Sequence, residues 1–270
     1  MKIMRDLVVD GRRLEVLDLP GDPAVPPVVL LHEGLGSARL WREFHPNLAE
    51  ATGARVVAYS RFGHGDSDPP PRPRTPRFMQ EEALQVLPEL LRALEIEQAI
   101  LVGHSDGASI ALIHAAAHPV RAVVAMAPHV FVEAMCLAEI REARRVYESG
   151  GLRERMSRHH RDPDAAFYGW NDVWLHPEFP RWSIEEVLAG VTCPLLLIQG
   201  EQDQYGTMAQ LDAIESSVSG PVERVHLTCR HAPHLEAQEE TLAATARFVE
   251  RVALGAEGVT GVPDTLDSDE

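Results

Sequence analysis

The chain has 270 residues, 45% hydrophobic and 24% charged, which is long enough to bury one large α/β core. Its 41 acidic and 25 basic residues leave a formal net charge of −16, which argues against nucleic acid or an anionic membrane surface as the main partner. Three scattered cysteines, Cys136, Cys193 and Cys229, suit a reducing compartment without a disulfide framework, and the single lysine, Lys2, argues against Schiff-base chemistry.

The first residues, Met1 to Asp6, lack the basic-then-apolar layout of a secretory leader, and no apolar run is long enough for a membrane helix. A cytoplasmic protein is therefore expected. Leu7–Val9, Asp10-Gly11 and Arg13–Leu19 read as a β-hairpin, ended by Pro20-Gly21-Asp22-Pro23. Strand Val28–Leu31 then runs into His32-Glu33-Gly34-Leu35-Gly36-Ser37. Ser37 is placed to cap a short helix holding Leu40, Trp41 and Phe44, ended by Pro46. Strand Arg55–Tyr59 leads to Arg61-Phe62-Gly63-His64-Gly65-Asp66-Ser67. A proline-rich surface loop, Pro69 to Pro76, follows. Thr75 and Pro76 are expected to open a helical region to about Leu94, kinked at Pro88.

The apolar run Ala99–Val102 is followed by Gly103-His104-Ser105-Asp106-Gly107 and the small, apolar run Ala108–Ala117. A strand, a Gly-x-Ser-x-Gly turn and a helix is the setting of a nucleophilic serine. The glycines allow the sharp turn, and the Asp106 N–H at the helix start is placed to meet an oxyanion. The glycine-rich loop after Val28–Leu31 is placed to supply a second donor, for which the Gly34 N–H is the candidate. Strand Ala122–Met126 comes next. Two later strand ends carry an acid and histidines: Pro194–Gln199 leads to Gly200 and Asp203, and Val222–Leu227 leads to His231 and His234. The order Ser105, Asp203, His231 is that of one class of serine hydrolases. His234 is the alternative base.

These motifs together resemble the α/β-hydrolase superfamily, in its capped, esterase-like form, from about Leu7 to Leu254. The resemblance implies Ser105 as nucleophile, Asp203 as orienting acid and His231 as base. Two positions depart from the family pattern: Glu33 stands where a glycine often follows the histidine, and Arg230 where a glycine often precedes the base. The implied fold is α/β, a mostly parallel sheet covered by helices on both faces, with ligands beyond the carboxyl ends of the strands.

The stretch 129–192 breaks the strand–helix alternation and is expected to be a helical cap inserted into a core of 1–128 and 193–254. It holds three of the four tryptophans, Trp170, Trp174 and Trp182. The candidate substrate-binding residues are Trp41, His129, Trp170, Trp174 and His234. From Glu133 to Arg161 the cap has seven arginines against five glutamates, which suits either an anionic substrate or a solvated face with local pairs such as Arg144 with Glu148. The tail 255–270 is expected to be disordered and acidic.

The function expected is hydrolysis of a carboxylic ester of a small, partly apolar molecule. Ser105 rather than aspartate at the turn disfavours haloalkane dehalogenase and epoxide hydrolase chemistry. Thioesters, lactones and carbon–carbon bonds use the same residues and stay open, as does a small-ligand receptor with little turnover. No cofactor or metal is called for: there is no Gly-x-Gly-x-x-Gly or P-loop string and no zinc-site spacing. An exposed cap or edge strand leaves a homodimer open.

Overall fold

The computed structural model describes residues 3–255. The expected tail therefore lies outside the described residues, apart from Gly255. An antiparallel hairpin opens the sheet, β1 (Ile3–Val9) against β2 (Arg12–Leu19). Its two-residue turn puts Asp10 and Gly11 at φ of 50° and 70°. An Asp-Gly turn tolerates that left-handed pair and matches the twist of the strands.

Six further strands follow: β3 (Val28–Leu31), β4 (Val56–Tyr59), β5 (Ile100–His104), β6 (Ala122–Met126), β7 (Leu195–Gly200) and β8 (Val222–Leu227). They are parallel to one another, β2 joins β4 antiparallel, and the order across the eight-stranded sheet is β1-β2-β4-β3-β5-β6-β7-β8. Every residue of β3 to β7 is buried. Such continuous apolar runs fit strands covered on both faces.

The two-residue period divides these strands between two cores. Val28, Leu30, Val102 and Val124 pack with Phe44 and Leu48 of α1 (Phe44–Thr52) and with Phe248 and Val249 of α10 (Gln238–Leu254). Val29, Leu31, Leu101 and Val123 face the opposite side. There they meet α2 (Phe78–Glu81), α3 (Leu87–Ala93) and α4 (Asp106–Ala117), whose buried side chains belong to the same cluster.

Between β6 and β7 stands a helical insertion of α5 (Ala134–Glu148), α6 (Gly151–Met156) and α7 (Pro163–Trp174), followed by two 3₁₀ turns. Asp162 caps α7 by accepting from the Ala165 N–H at 2.9 Å, and Pro163 takes the first helical position, where its missing N–H costs nothing. Tyr147 stacks on Phe167 with centroids 3.8 Å apart, and this pair joins α5 to α7. Helices α8 (Ala209–Ser217) and α9 (Pro233–Glu236) follow β7 and β8 respectively. Among the described residues no helix is long and apolar enough to cross a membrane.

Two local expectations need correction. Ser37 makes no cap hydrogen bond; Ala38 N–H donates instead to Ser60 Oγ, and the segment is a 3₁₀ turn, Ala38–Trp41. The helix proper restarts at Phe44, so Pro46 lies in its first turn, where proline is tolerated, rather than ending it. Likewise the helix expected from Thr75 opens at Phe78, and a π-helical turn, Glu82–Val86, precedes Pro88. A wide turn at that place accommodates the proline, which has no N–H to donate.

Candidate active site

Ser105 stands between the end of β5 and the start of α4, with φ of 54°, a left-handed conformation rare for a residue with a side chain. The flanking glycines explain how the chain tolerates it. A Cβ on Gly103 would lie 2.3 Å from the Gly107 carbonyl, and one on Gly107 would lie 2.0 Å from the Leu31 carbonyl. No other residue fits at either place, because α4 presses directly on the sheet.

Ser105 Oγ lies 3.0 Å from His231 Nε2. His231 Nδ1 lies 2.9 Å and 2.8 Å from the two carboxylate oxygens of Asp203. A nitrogen facing a carboxylate must carry the proton, so Nε2 is left as the acceptor for the serine hydroxyl. Asp203 also accepts from Gln199 Nε2 at 2.7 Å and from the Tyr205 N–H at 2.7 Å. Burial pushes the Asp203 carboxyl up, but His231 and the Tyr205 N–H together hold it below the usual range. Burial also lowers His231, against the pull of Asp203, which leaves its imidazole neutral at pH 7. The loop carrying His231 is braced by Glu236, which accepts from the Arg230 and Ala232 N–H groups at 2.8 Å and 3.2 Å.

The alternative base is placed elsewhere. His234 packs against Trp41, Phe44 and His104, with centroids 4.7, 5.9 and 4.8 Å away, and burial holds it down at about 3. Trp41 is itself buried in the core beneath α1. Neither Trp41 nor His234 borders the cavity above Ser105, so their expected contact with substrate is corrected: their apolar surroundings draw them into the core.

The cavity above Ser105 has a volume of about 190 Å³. Gly34, Ser105, Asp106, His129, Tyr205 and His231 border it from the strand ends. Cys136, Ile140, Trp170 and Trp174 border it from the insertion. A larger groove of about 410 Å³ lies by α3 and the end of α4, but its polar groups, such as Glu95 and His118, include no hydroxyl or thiol nucleophile beside a base.

Sequence reasoning missed how the Gly34 loop is held. Four successive carbonyls each receive a donor from a buried cation or imidazole. The Arg61 guanidinium bonds the carbonyls of His32 and Glu33, the latter at 2.8 Å. His32 Nε2 accepts from the Arg61 N–H at 3.1 Å, so its Nδ1–H donates to the Glu33 carbonyl at 2.6 Å. His64 accepts from Arg74 at 2.9 Å through Nδ1 and donates to the Gly34 carbonyl at 2.9 Å. His160, from the insertion, accepts from the Gly65 N–H at 3.0 Å and donates to the Leu35 carbonyl at 2.9 Å. Burial, and cations such as Arg61 and Arg74, keep His32 and His64 far below their ordinary value and hence neutral.

A trans peptide is planar, so the N–H of Gly34 points opposite to the Glu33 carbonyl that Arg61 and His32 fix. The Arg61–Ser67 segment was visible in the sequence as a glycine-rich strand end. His160 had no sequence signal. Glycine at position 34 has a second reason: a Cβ there would lie 2.1 Å from Trp170 Nε1.

Two acids border the cavity. The Asp106 side chain is 1% exposed and neither oxygen has a hydrogen-bond partner; the Trp174 indole nitrogen is near but outside bonding geometry. Burial raises this carboxyl to about 6, with Arg61 and Arg74 acting in the opposite sense. Burial also acts to raise Glu33, but the neighbouring His104 imidazole outweighs it and holds Glu33 far below the carboxylate range. A Cβ on Gly36 would lie 2.3 Å from Glu33 Oε2, so Gly36 makes room for this side chain.

None of the seven arginines between Glu133 and Arg161 borders the cavity. Arg144 pairs with Asp172 rather than Glu148, Arg145 pairs with Glu142, and Arg153 with Asp164 at 2.6 Å. Among the described residues, no three His, Cys, Asp or Glu side chains are grouped to hold a metal ion.

Known proteins are similar to this chain in sequence and in fold. The model of the alpha/beta hydrolase fold matches residues 26–169. The mouse protein named serine hydrolase BPHL is 30% identical over 233 residues, covering 79% of this chain and 75% of that protein. Among solved structures, the enol-lactonase of Burkholderia xenovorans superposes with a TM-score of 0.71 at 20% identity, covering 91% of this chain and 99% of that one. The 2-hydroxy-6-oxo-6-phenylhexa-2,4-dienoate hydrolase of a Rhodococcus strain gives 0.74 at 20% identity, with 92% and 98% covered. The structures share the fold, the relative shares the sequence, and the chain belongs to the α/β-hydrolase superfamily as one of its serine hydrolases.

Proposed function

We propose that the protein hydrolyses a carboxylic ester of a small, partly apolar molecule through an acyl-enzyme on Ser105. The observation that carries this reading is the hydrogen-bonded line from Ser105 through His231 to Asp203, set at the base of a cavity.

In this reading His231 Nε2 takes the Ser105 proton as Oγ attacks the ester carbonyl. Asp203 keeps the imidazole in the required tautomer and stabilises the imidazolium. The Gly34 and Asp106 N–H groups bind the tetrahedral oxyanion; one such donor is worth about 3–4 kcal/mol in enzymes of this kind. His231 then protonates the departing alkoxide. Water, deprotonated by the same imidazole, attacks the acyl-enzyme and releases the acid. The helical insertion acts as a cap that excludes bulk water from the reacting carbonyl.

The cavity also limits the acyl group. Its small volume suits a short chain, and Trp170, Trp174 and Ile140 give it apolar walls. The unpartnered Asp106 carboxyl favours an acyl group that carries a hydrogen-bond donor or a positive charge.

p-Nitrophenyl esters of increasing length, given to wild type and Ser105→Ala, test the reading. Turnover of the short esters that disappears in the variant is expected. Equal turnover by the variant would overturn it. Labelling of Ser105 by an active-site probe without ester turnover would move the bond cleaved to a thioester, lactone or carbon–carbon bond.

A further inference from the structure

A second cleft lies beside the first. Its volume is about 330 Å³, and it runs along the seam between α6 and the loop after β3. Leu152 and Met156 give it an apolar floor, and Leu35 forms the wall that it shares with the cavity above Ser105. Its rim carries three cations, Arg42, Arg155 and Arg158, with the neutral His159 imidazole beside them.

Three observations set this rim apart from an ordinary solvated face. Elsewhere in the insertion Arg144, Arg145 and Arg153 are matched by carboxylates, and here Arg158 has Glu154 at 3.2 Å. The guanidiniums of Arg42 and Arg155, by contrast, have no hydrogen-bond or ion-pair partner among the described residues. Secondly, Arg42 and Arg158 line the cleft together with His159, and burial, then the charges of Arg42, Arg158 and Arg39, push that imidazole below its ordinary value. Thirdly, this happens in a chain of net charge −16, where a carboxylate partner is easily supplied. A cluster of like charges over an apolar floor is unfavourable until an anion enters it.

We infer that this cleft is a subsite for an anionic group, carboxylate or phosphate, on the part of the substrate that leaves when Ser105 is acylated. The inference rests on the proposed ester hydrolysis. A substrate whose acyl end occupies the cavity above Ser105 reaches the cleft by passing Leu35. The apolar stem of the leaving alcohol then lies on Leu152 and Met156, and its anion meets Arg42 and Arg155. The acyl side of the site is acidic, through Glu33 and Asp106, and the leaving-group side is basic. That polarity fixes which way round an ester binds.

The test compares acetyl esters of phenol, 4-hydroxybenzoate and 4-hydroxyphenyl phosphate in wild type and in the double variant Arg42→Gln/Arg155→Gln. Each anionic ester is scored as its kcat/KM relative to phenyl acetate, so intrinsic reactivity cancels between the two proteins. Loss of two rim charges is expected to lower that ratio by roughly tenfold, and added salt should lower it in wild type alone. Which anion falls further separates phosphate from carboxylate. A ratio equal in both proteins would overturn the subsite. Calorimetric titration with inorganic pyrophosphate separates this failure from failure of the hydrolase reading. Binding by wild type that is lost in the double variant keeps the anion site even when no ester is cleaved. No binding by wild type removes it.

Discussion

Arg61→Lys is the most informative single change outside the Ser105, His231 and Asp203 line. The guanidinium is buried, 2% exposed, and spans the carbonyls of His32 and Glu33. A lysine keeps the charge but presents one nitrogen, so one buried carbonyl loses its donor. That costs stability by about 1–3 kcal/mol. Losing an oxyanion donor outright costs about 10²–10³ in kcat. The Glu33 carbonyl retains the His32 Nδ1–H at 2.6 Å, so the Gly34 peptide is loosened rather than freed. The expected fall in kcat is therefore about 10–100-fold, or about 1.4–2.7 kcal/mol of barrier. KM should hardly move, because the contact acts on the transition state. Steady-state kinetics on a short p-nitrophenyl ester, with thermal unfolding alongside, reads both effects. A kcat within twofold of wild type in a destabilised variant would refute the role of Arg61 in aiming the Gly34 N–H.

His231→Ala should remove ester turnover, whereas His234→Ala should leave a measurable rate and lower the melting temperature by creating a void beside Trp41 and Phe44; the reverse outcome would exchange the two histidines. Gly34→Ala must displace Trp170 or the loop, so a loss of about 1–3 kcal/mol in stability and a lower kcat are expected from thermal melts and kinetics. Because burial lowers His231, the midpoint of the acid limb of kcat/KM should lie below 6.5, the ordinary value of an imidazole, and a midpoint above it would contradict the assignment. Asp106 is a carboxyl raised to about 6, so its ionised form disfavours the fold above that pH, and the cost disappears as pH falls below the unfolded value of 3.8. Asp106→Asn should therefore raise the melting temperature more at pH 8 than at pH 5, and an equal shift at both would show that the carboxyl is not strained by burial.

How far the sequence reveals this site depends on the range of the forces involved. The Gly-x-Ser-x-Gly turn is local: its glycines are demanded by backbone contacts within a few residues and by the adjacent strand, so the motif and its place were legible. The strands were legible too, since β3 to β7 open on apolar runs and are bounded by turn residues. What the chain does not display is its long-range polar packing. His160 reaches Leu35 across 125 positions, and nothing near it in sequence marks it as a strut for the loop. Trp41 and His234 looked like site residues because each is close in sequence to a strand end. Their rings instead pair with each other in the core, a contact that only tertiary packing decides. The arginine excess of the insertion carried the same ambiguity. Most of those side chains are matched by carboxylates, and only Arg155, together with Arg42 from the core, is left facing a cleft.

The central claim is that Ser105 is an activated nucleophile, and labelling by a fluorophosphonate tests it most directly. Intact mass should show one adduct on wild type, mapped to Ser105, and none on folded Ser105→Ala. An unlabelled wild type, or an equal adduct on the variant, would contradict the account.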